Sequence, residues 1–135
     1  MKKILITEKV LEELLYGSKK NKTLIANQFE DHLKKNDSFF VSILTVEEIL
    51  KKEESIENRK IIFKNINELC DEIIEIKLDD SSSALRIETE YSTDHRTAME
   101  LTVASRKGID CIYDTTDRFD FQKMISVIRL ILKGE

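Results

Sequence analysis

Residues Thr97 to Phe121 constrain the fold more than any other stretch. Thr97-Ala98-Met99-Glu100-Leu101-Thr102-Val103-Ala104-Ser105-Arg106-Lys107 reads as a helix that Gly108 stops, followed by a short apolar run from Ile109 to Tyr113. The chain then turns polar and acidic through Thr115-Thr116-Asp117-Arg118-Phe119-Asp120-Phe121. A glycine directly after a helix takes the left-handed cap conformation without steric cost. In an open α/β sheet, ligands bind in the loops beyond the carboxyl ends of the strands. This order of elements therefore puts Asp117 at a site-forming edge.

The rest of the chain repeats the alternation. Ile4-Leu5-Ile6 is a short unbroken apolar run, as in a strand buried on both faces. Val10, Leu11, Leu14 and Leu15 then recur at helical spacing, with Thr7 placed as N-cap. After a polar loop from Ser18 to Lys22, Leu24, Ile25, Phe29 and Leu33 mark a second helix. His32 lies at the border of its apolar face and has no second ligand at helical spacing, so it stays outside the candidate site. Phe39 to Leu44 predicts the second strand, and Thr45 an N-cap for the helix Val46 to Leu50. Acids in that first turn, Glu47 and Glu48, already have a structural reason, because a helix N-terminus favours negative charge.

A packing helix follows from about Asn58 to Asp71, then a third strand from Ile73 to Leu78. Asp79 to Ser83 predicts turn and capping groups ahead of Ala84 to Glu88, and Thr89 to Arg96 a polar connection. Ile125 to Leu132 reads as the last strand, with Gly134 closing it. Strands alternating with helices imply right-handed crossovers and a parallel sheet covered on both faces. The expected architecture is a three-layer α/β/α sandwich formed by residues 1–135 as a single domain.

Composition narrows the function classes. The chain of 135 residues is 41% apolar and 36% charged, the profile of a folded domain rather than a disordered one. A formal net charge of −4 gives no general reason to bind nucleic acid or an anionic membrane, so a phosphate-bearing partner needs a local patch. Cys70 and Cys111 are far apart and lack metal-ligand spacing, which predicts free buried thiols. The apolar run Ile4 to Ile6 is too short for the core of a signal peptide, and no window approaches the roughly 20 apolar residues of a membrane span. The expected location is cytoplasmic, with no membrane partner.

The order of elements, with acids at strand ends and helix starts, resembles the PIN domain, the fold of VapC toxins and other metal-dependent nucleases. The resemblance spans nearly the whole chain. It implies acids holding one or two Mg²⁺ or Mn²⁺ ions for RNA cleavage, in which a bound ion polarises the phosphoryl oxygen and generates hydroxide. Val41-Ser42-Ile43-Leu44-Thr45-Val46-Glu47-Glu48-Ile49-Leu50 is similar to the family's second motif, with Glu48 in the acid's place. Thr115-Thr116-Asp117 with Asp120-Phe121 is similar to the fourth, with Asp117 in place. Glu48 and Asp117 are thus the implied catalytic and metal-binding pair.

The chain departs from the pattern at the other two positions, where the first and third acids fall on Thr7 and Thr97. Threonine hydroxyls hydrogen-bond a metal water or a phosphate but carry no charge. Glu8, Asp94 and Glu100 stand close enough in sequence to act as substitute metal ligands, and Asp114 and Asp120 flank Asp117. Thr7, Thr97, Thr115, Arg96 and Lys9 are the implied substrate-contacting residues, with Arg96 and Lys9 guiding a phosphate backbone. The resemblance implies a Mg or Mn cofactor if the site functions and none otherwise. RNA, an antitoxin-like protein and a second copy of the chain are the implied partners.

Three functions stay open at this point. The first is a PIN-like, toxin-type endoribonuclease with a reduced or lost acid cluster. The second is a non-catalytic PIN-like module that binds RNA or a protein. The third is a doubly wound ligand or signalling domain in which Asp117 only caps its loop.

Overall fold

A computed structural model describes residues 1–132; Gly134, the expected end of the last strand, lies outside them. The central strand is β1, Lys3–Ile6, and the chain passes through Thr7 straight into α1, Glu8–Tyr16. The helix α2 follows, Lys19–Lys34, then β2, Ser38–Ser42, α3, Ile43–Leu50, and α4, Ile56–Leu69. Next come β3, Glu72–Ile74, α5, Leu78–Tyr91, α6, His95–Arg106, β4, Cys111–Asp114, and β5, Ser126–Arg129. The strands form one parallel sheet in the order β3-β2-β1-β4-β5.

Strand periodicity divides the core in two, because alternate side chains point to opposite faces. Ile4, Ile6, Phe39, Val41, Cys111 and Tyr113 face one side, where they pack with Val10, Leu11, Ile25, Phe29, Ile49 and Ile66 from α1 to α4. Leu5, Phe40 and Ile112 face the other, against Ala84 and Ile87 of α5 and Ala98, Leu101 and Ala104 of α6. The three-layer α/β/α sandwich with a parallel sheet is therefore the observed architecture. Cys70 and Cys111 are free and buried, and no helix among the described residues is long and apolar enough to cross a membrane.

Several element boundaries differ from expectation, each for a local reason. The stretch Ser18 to Lys22 is largely helical, since the Ser18 hydroxyl accepts the Asn21 amide at 3.2 Å and α2 begins at Lys19. β2 stops at Ser42 because that hydroxyl accepts the Thr45 amide at 3.3 Å. Thr45 is consequently not the N-cap but the third residue of α3, free to point its hydroxyl elsewhere. Likewise Ser55 caps α4, whose first residue, Ile56, lies two positions ahead of the expected start at Asn58.

The third strand is shorter than expected, since the Lys77 amide donates to the Asp80 carboxylate at 2.7 Å and draws residues from Leu78 into α5. Asp79 to Ser83 is then helix rather than turn. The polar connection shrinks to Ser92 through Asp94, because α5 runs on to Tyr91 and Asp94 caps α6. The last strand keeps only Ser126–Arg129 of its expected span.

Gly108 behaves as the sequence predicts. It closes α6 at φ 69°, with its amide donating to Ser105 O at 3.1 Å. A Cβ there would meet no atom within 4 Å, so the cost of any other residue comes from the backbone alone. Gly108→Ala is expected to lower stability by about 1 to 2 kcal/mol, seen as a lower urea midpoint with an unchanged denaturant slope.

Candidate functional site

The sheet order reverses direction at β1. From it the chain winds outward to β2 and β3 on one side, and β4 and β5 lie on the other. Such a switch point leaves a crevice at the carboxyl ends of the two central strands. Here that crevice receives Thr7 from the end of β1, Asp114 from the end of β4, the start of α3 and the start of α6.

Thr7 and Asp114 lock together across the crevice. The Thr7 amide extends the β1–β4 ladder to Tyr113 O at 3.3 Å. Thr7 is 1% exposed, and its single hydroxyl proton is shared between Tyr113 O at 2.9 Å and Asp114 Oδ1 at 2.8 Å. Asp114 also accepts the Thr115 amide and the Thr116 hydroxyl, each at 2.8 Å. Both of its oxygens are thus held by uncharged donors. Thr7 sits at the N-cap position of α1 but does not cap it, because its hydroxyl is already committed to β4.

A second cluster lies at the start of α6. Thr97 through Ala104 are all buried, and Glu100 falls in the middle of that run at 1% exposure. A buried carboxylate is costly unless hydrogen bonds or a counter-charge answer it. Glu100 Oε1 accepts the Thr45 hydroxyl at 2.7 Å, and Oε2 lies 2.5 Å from Arg118 Nη2. This second contact is an ion pair off the hydrogen-bond direction.

Arg118 is held on three sides. Its Nε donates to the Thr97 hydroxyl at 2.8 Å, and its guanidinium carbon stands 4.9 Å from the centre of the Phe119 ring. The Thr97 hydroxyl in turn donates a hydrogen bond to Asp94 Oδ2 at 3.0 Å, and its amide donates to Asp94 Oδ1 at 2.7 Å. Burial acts to raise the Asp94 pKa, but the two Thr97 bonds and the Arg118 charge outweigh it and hold the carboxyl below its usual range.

A third group of charges lies at the mouth. Arg96 Nη2 is 2.6 Å from Glu8 Oε1, Lys52 pairs with both Glu8 and Glu12, and Lys9 lies 3.4 Å from Glu12. Burial pushes the Glu8 pKa up, yet its hydrogen bonds with Glu12 and Arg96 and the charges of Arg96 and Lys52 bring it below the ordinary value. Arg96 Nε is buried and meets no acceptor among the described residues.

Thr7, Glu8, Lys9, Asp114, Thr116 and Arg118 line a small cavity of about 160 Å³ in this cleft. A larger hollow of about 480 Å³ lies between α5 and α6, where Arg106 pairs with Asp80. It shares no lining residue with the cleft.

Of the residues singled out in the sequence, the structure gathers Thr7, Thr97, Glu8, Lys9, Arg96, Asp94 and Glu100 around the crevice. Glu48 lies on α3 and pairs with Lys51 at 3.2 Å. Asp117 is exposed on the turn after β4, its carbonyl accepting the Asp120 amide at 3.0 Å, while Asp120 pairs with Arg129. Thr115 contributes its amide to Asp114. Sequence reasoning named Asp114 only as an acid flanking Asp117, and it left Thr116, Thr45 and Arg118 out of the site. Asp114 takes the central place because it is the last residue of β4, beside the end of β1. Arg118 reaches α6 through a long side chain, and nothing in its spacing signals that.

The carboxylates gathered at the crevice do not fit the divalent ion that the resemblance implies. Mg²⁺ needs carboxylate oxygens free to coordinate at roughly 2.0 to 2.1 Å beside its waters. Here the Asp114 oxygens face hydroxyls and an amide, the Glu100 oxygens face Thr45 and Arg118, and Glu8 faces Arg96 and Lys52. Among the described residues, no three His, Cys, Asp or Glu side chains converge to hold a metal ion.

The comparisons bear on the fold. A toxin–antitoxin complex from Klebsiella pneumoniae contains a chain of 17% identity that superposes with a TM-score of 0.67, covering 93% of this chain and 95% of that one. VapBC2 from Rickettsia felis, bound to a DNA fragment from its promoter, gives a TM-score of 0.75 at 10% identity over 95% and 98% of the two chains. DNA-bound VapBC from Salmonella typhimurium gives 0.66 at 13% identity, over 96% and 98%. The chain has the VapC-type PIN-like fold. No family profile and no curated protein matches it in sequence.

With that fold in place, Asp94 offers a measurable handle on the cleft. A carboxyl whose folded pKa is depressed adds stability above its unfolded value, near pH 4, and loses it as pH falls through the folded value. Asp94→Ala, which also removes the α6 cap, is expected to cost about 1 kcal/mol at pH 7. The gap between wild type and variant should narrow as the pH is lowered below about 4, measured by urea unfolding across the pH range.

Proposed function

We propose that this protein is a PIN-like module of toxin–antitoxin type that works by binding a protein partner and does not hydrolyse RNA by the metal route. One observation carries the reading: each carboxylate of the crevice is already answered from within the chain, Glu100 by Arg118 and Thr45, Asp114 by three uncharged donors. Metal-route hydrolysis needs an ion that makes hydroxide from bound water. With hydroxyls at Thr7 and Thr97 and no uncommitted carboxylate cluster, the cleft has little with which to recruit one.

A protein partner is favoured over RNA by the state of the cations. Arg118, Arg96, Lys52 and Lys9 all face the crevice, and each has a carboxylate partner. A phosphate backbone would have to displace those carboxylates, and affinity for phosphate comes from cations free to replace counterions. The likeness to chains of toxin–antitoxin complexes supports an antitoxin-like partner. So do apolar side chains on the surface: Ile61 and Phe63 on α4 are 57% and 42% exposed, and a separate groove of about 190 Å³ is lined by Leu11, Leu14, Leu15, Asn65, Ile66 and Leu69.

The test is a calorimetric titration of Mn²⁺ into the purified protein, run beside an RNA cleavage assay with an active PIN nuclease as positive control. The expected result is no heat of Mn²⁺ binding and no cleavage. Mn²⁺-dependent cleavage that disappears in Glu48→Gln or Asp117→Asn would overturn the proposal and establish the nuclease.

A further inference from the structure

We propose that the guanidinium of Arg118 is the resident cation of this cleft, an intramolecular occupant of a cation site whose walls the fold retains. The inference rests on the reading of the cleft as non-nucleolytic and explains how such a cleft holds together. Glu100 is anchored on a helix that is buried from Thr97 to Ala104, so its carboxylate cannot turn to solvent when it lacks a partner. The groups around it are those a cation would want: Glu100 itself, the Thr45 and Thr97 hydroxyl oxygens, and Asp94 behind Thr97.

Arg118 satisfies that arrangement with one planar group. Nη2 meets Glu100, Nε meets the Thr97 hydroxyl, and the ring of fully buried Phe119 supports the guanidinium. The Thr97 hydroxyl accepts from Arg118 and donates to Asp94, so the positive charge is connected to two carboxylates from two directions. The Arg118 amide donates to the Thr116 hydroxyl at 3.3 Å, and Thr116 donates to Asp114. The turn that carries Arg118 is thereby tied to the same strand end that closes the other side of the crevice. Position, charge and supporting bonds together mark a built feature rather than an arginine that happens to lie nearby.

Two consequences follow from this assignment. The intact protein has no use for a free cation at this place, so neither Mn²⁺ nor a chelator should alter its stability. Removing Arg118 leaves the Glu100 carboxylate buried without its counter-charge, in a space bounded by oxygen donors and now open to the neighbouring cavity. One or two carboxylates with water suffice to hold a divalent ion weakly, so the vacated site should accept Mn²⁺.

Thermal unfolding of the full chain, with and without about 5 mM Mn²⁺, tests this. Wild type should show no shift. Arg118→Ala should unfold about 10 °C lower, as expected for breaking a buried pair, and Mn²⁺ should restore a large part of that loss. Arg118→Ala combined with Glu100→Gln should lose the Mn²⁺ response and unfold above the single variant, because the orphaned charge is gone.

If Arg118→Ala does not fold, Arg118→Met keeps the apolar stem and is expected to give the same Mn²⁺-dependent recovery. Absence of recovery in both variants would overturn the assignment, as would an equal Mn²⁺ shift in wild type or a response that survives Glu100→Gln. Failure here and failure of the non-nucleolytic reading are separable. RNA cleavage by wild type bears on the latter, and a missing Mn²⁺ response in the Arg118 variants bears only on the former.

Discussion

A carboxylate buried in the middle of a packed helix sets the terms for the cleft. Leaving an ionised Glu100 without a partner would cost several kcal/mol, and the surrounding elements each contribute something that prevents it. β2 ends at Ser42, two residues earlier than the apolar run predicts, so that Ser42 caps α3 and Thr45 lies inside the helix with its hydroxyl on Glu100. The turn after β4 folds back so that Arg118 reaches the same carboxylate. Phe119, the next residue, is fully buried in the second core, so the turn is pinned by apolar packing as well as by charge. Glu100 thus couples α6, α3 and the β4–β5 connection at one point.

The layered architecture was legible because it is carried by local signals. Unbroken apolar runs at Ile4 to Ile6 and Ile109 to Tyr113, helical spacing at Val10, Leu11, Leu14 and Leu15, and the glycine after α6 each act within a few residues. The boundaries were less legible where a short polar side chain decides the matter. Whether Ser42 or Thr45 caps α3, and whether Asp80 draws the chain into α5, depends on which side chain reaches a free amide first, and both have the right chemistry. The absence of proline removed the strongest punctuation from the sequence.

The cleft was legible only in part, and the reason is distance along the chain. Thr7 to Asp114 spans 107 positions and Thr45 to Glu100 spans 55, pairings that appear only once strand order brings β1 beside β4 and α3 beside α6. Motif matching pointed to Asp117, while the residue that meets β1 is Asp114. The strand runs to Asp114 itself, pairing with Arg129 of β5, and the polar turn begins one residue later than the apolar run suggested. Arg118 left no trace, because a long side chain in a polar turn reads as solvated until its partner is known.

The acids of this cleft also show why acid-rich helix starts are ambiguous as signs of chemistry. α1 and α6 both direct their N-termini at the crevice, and each N-terminus carries a partial positive charge that favours a nearby carboxylate. Glu8 stands in the first turn of α1 and Asp94 at the cap of α6, so each has a structural role before any ion or substrate is considered. Arg96 is placed against the dipole of its own helix, and Glu8 compensates it. A metal site and a self-neutralised cleft therefore draw on the same residue types in the same places. They differ in what faces the oxygens: waters and an ion in one case, hydroxyls and guanidinium groups in the other. In this protein the chain itself supplies those facing groups, and the charges of the cleft are spent on holding α1, α3 and α6 around the switch point.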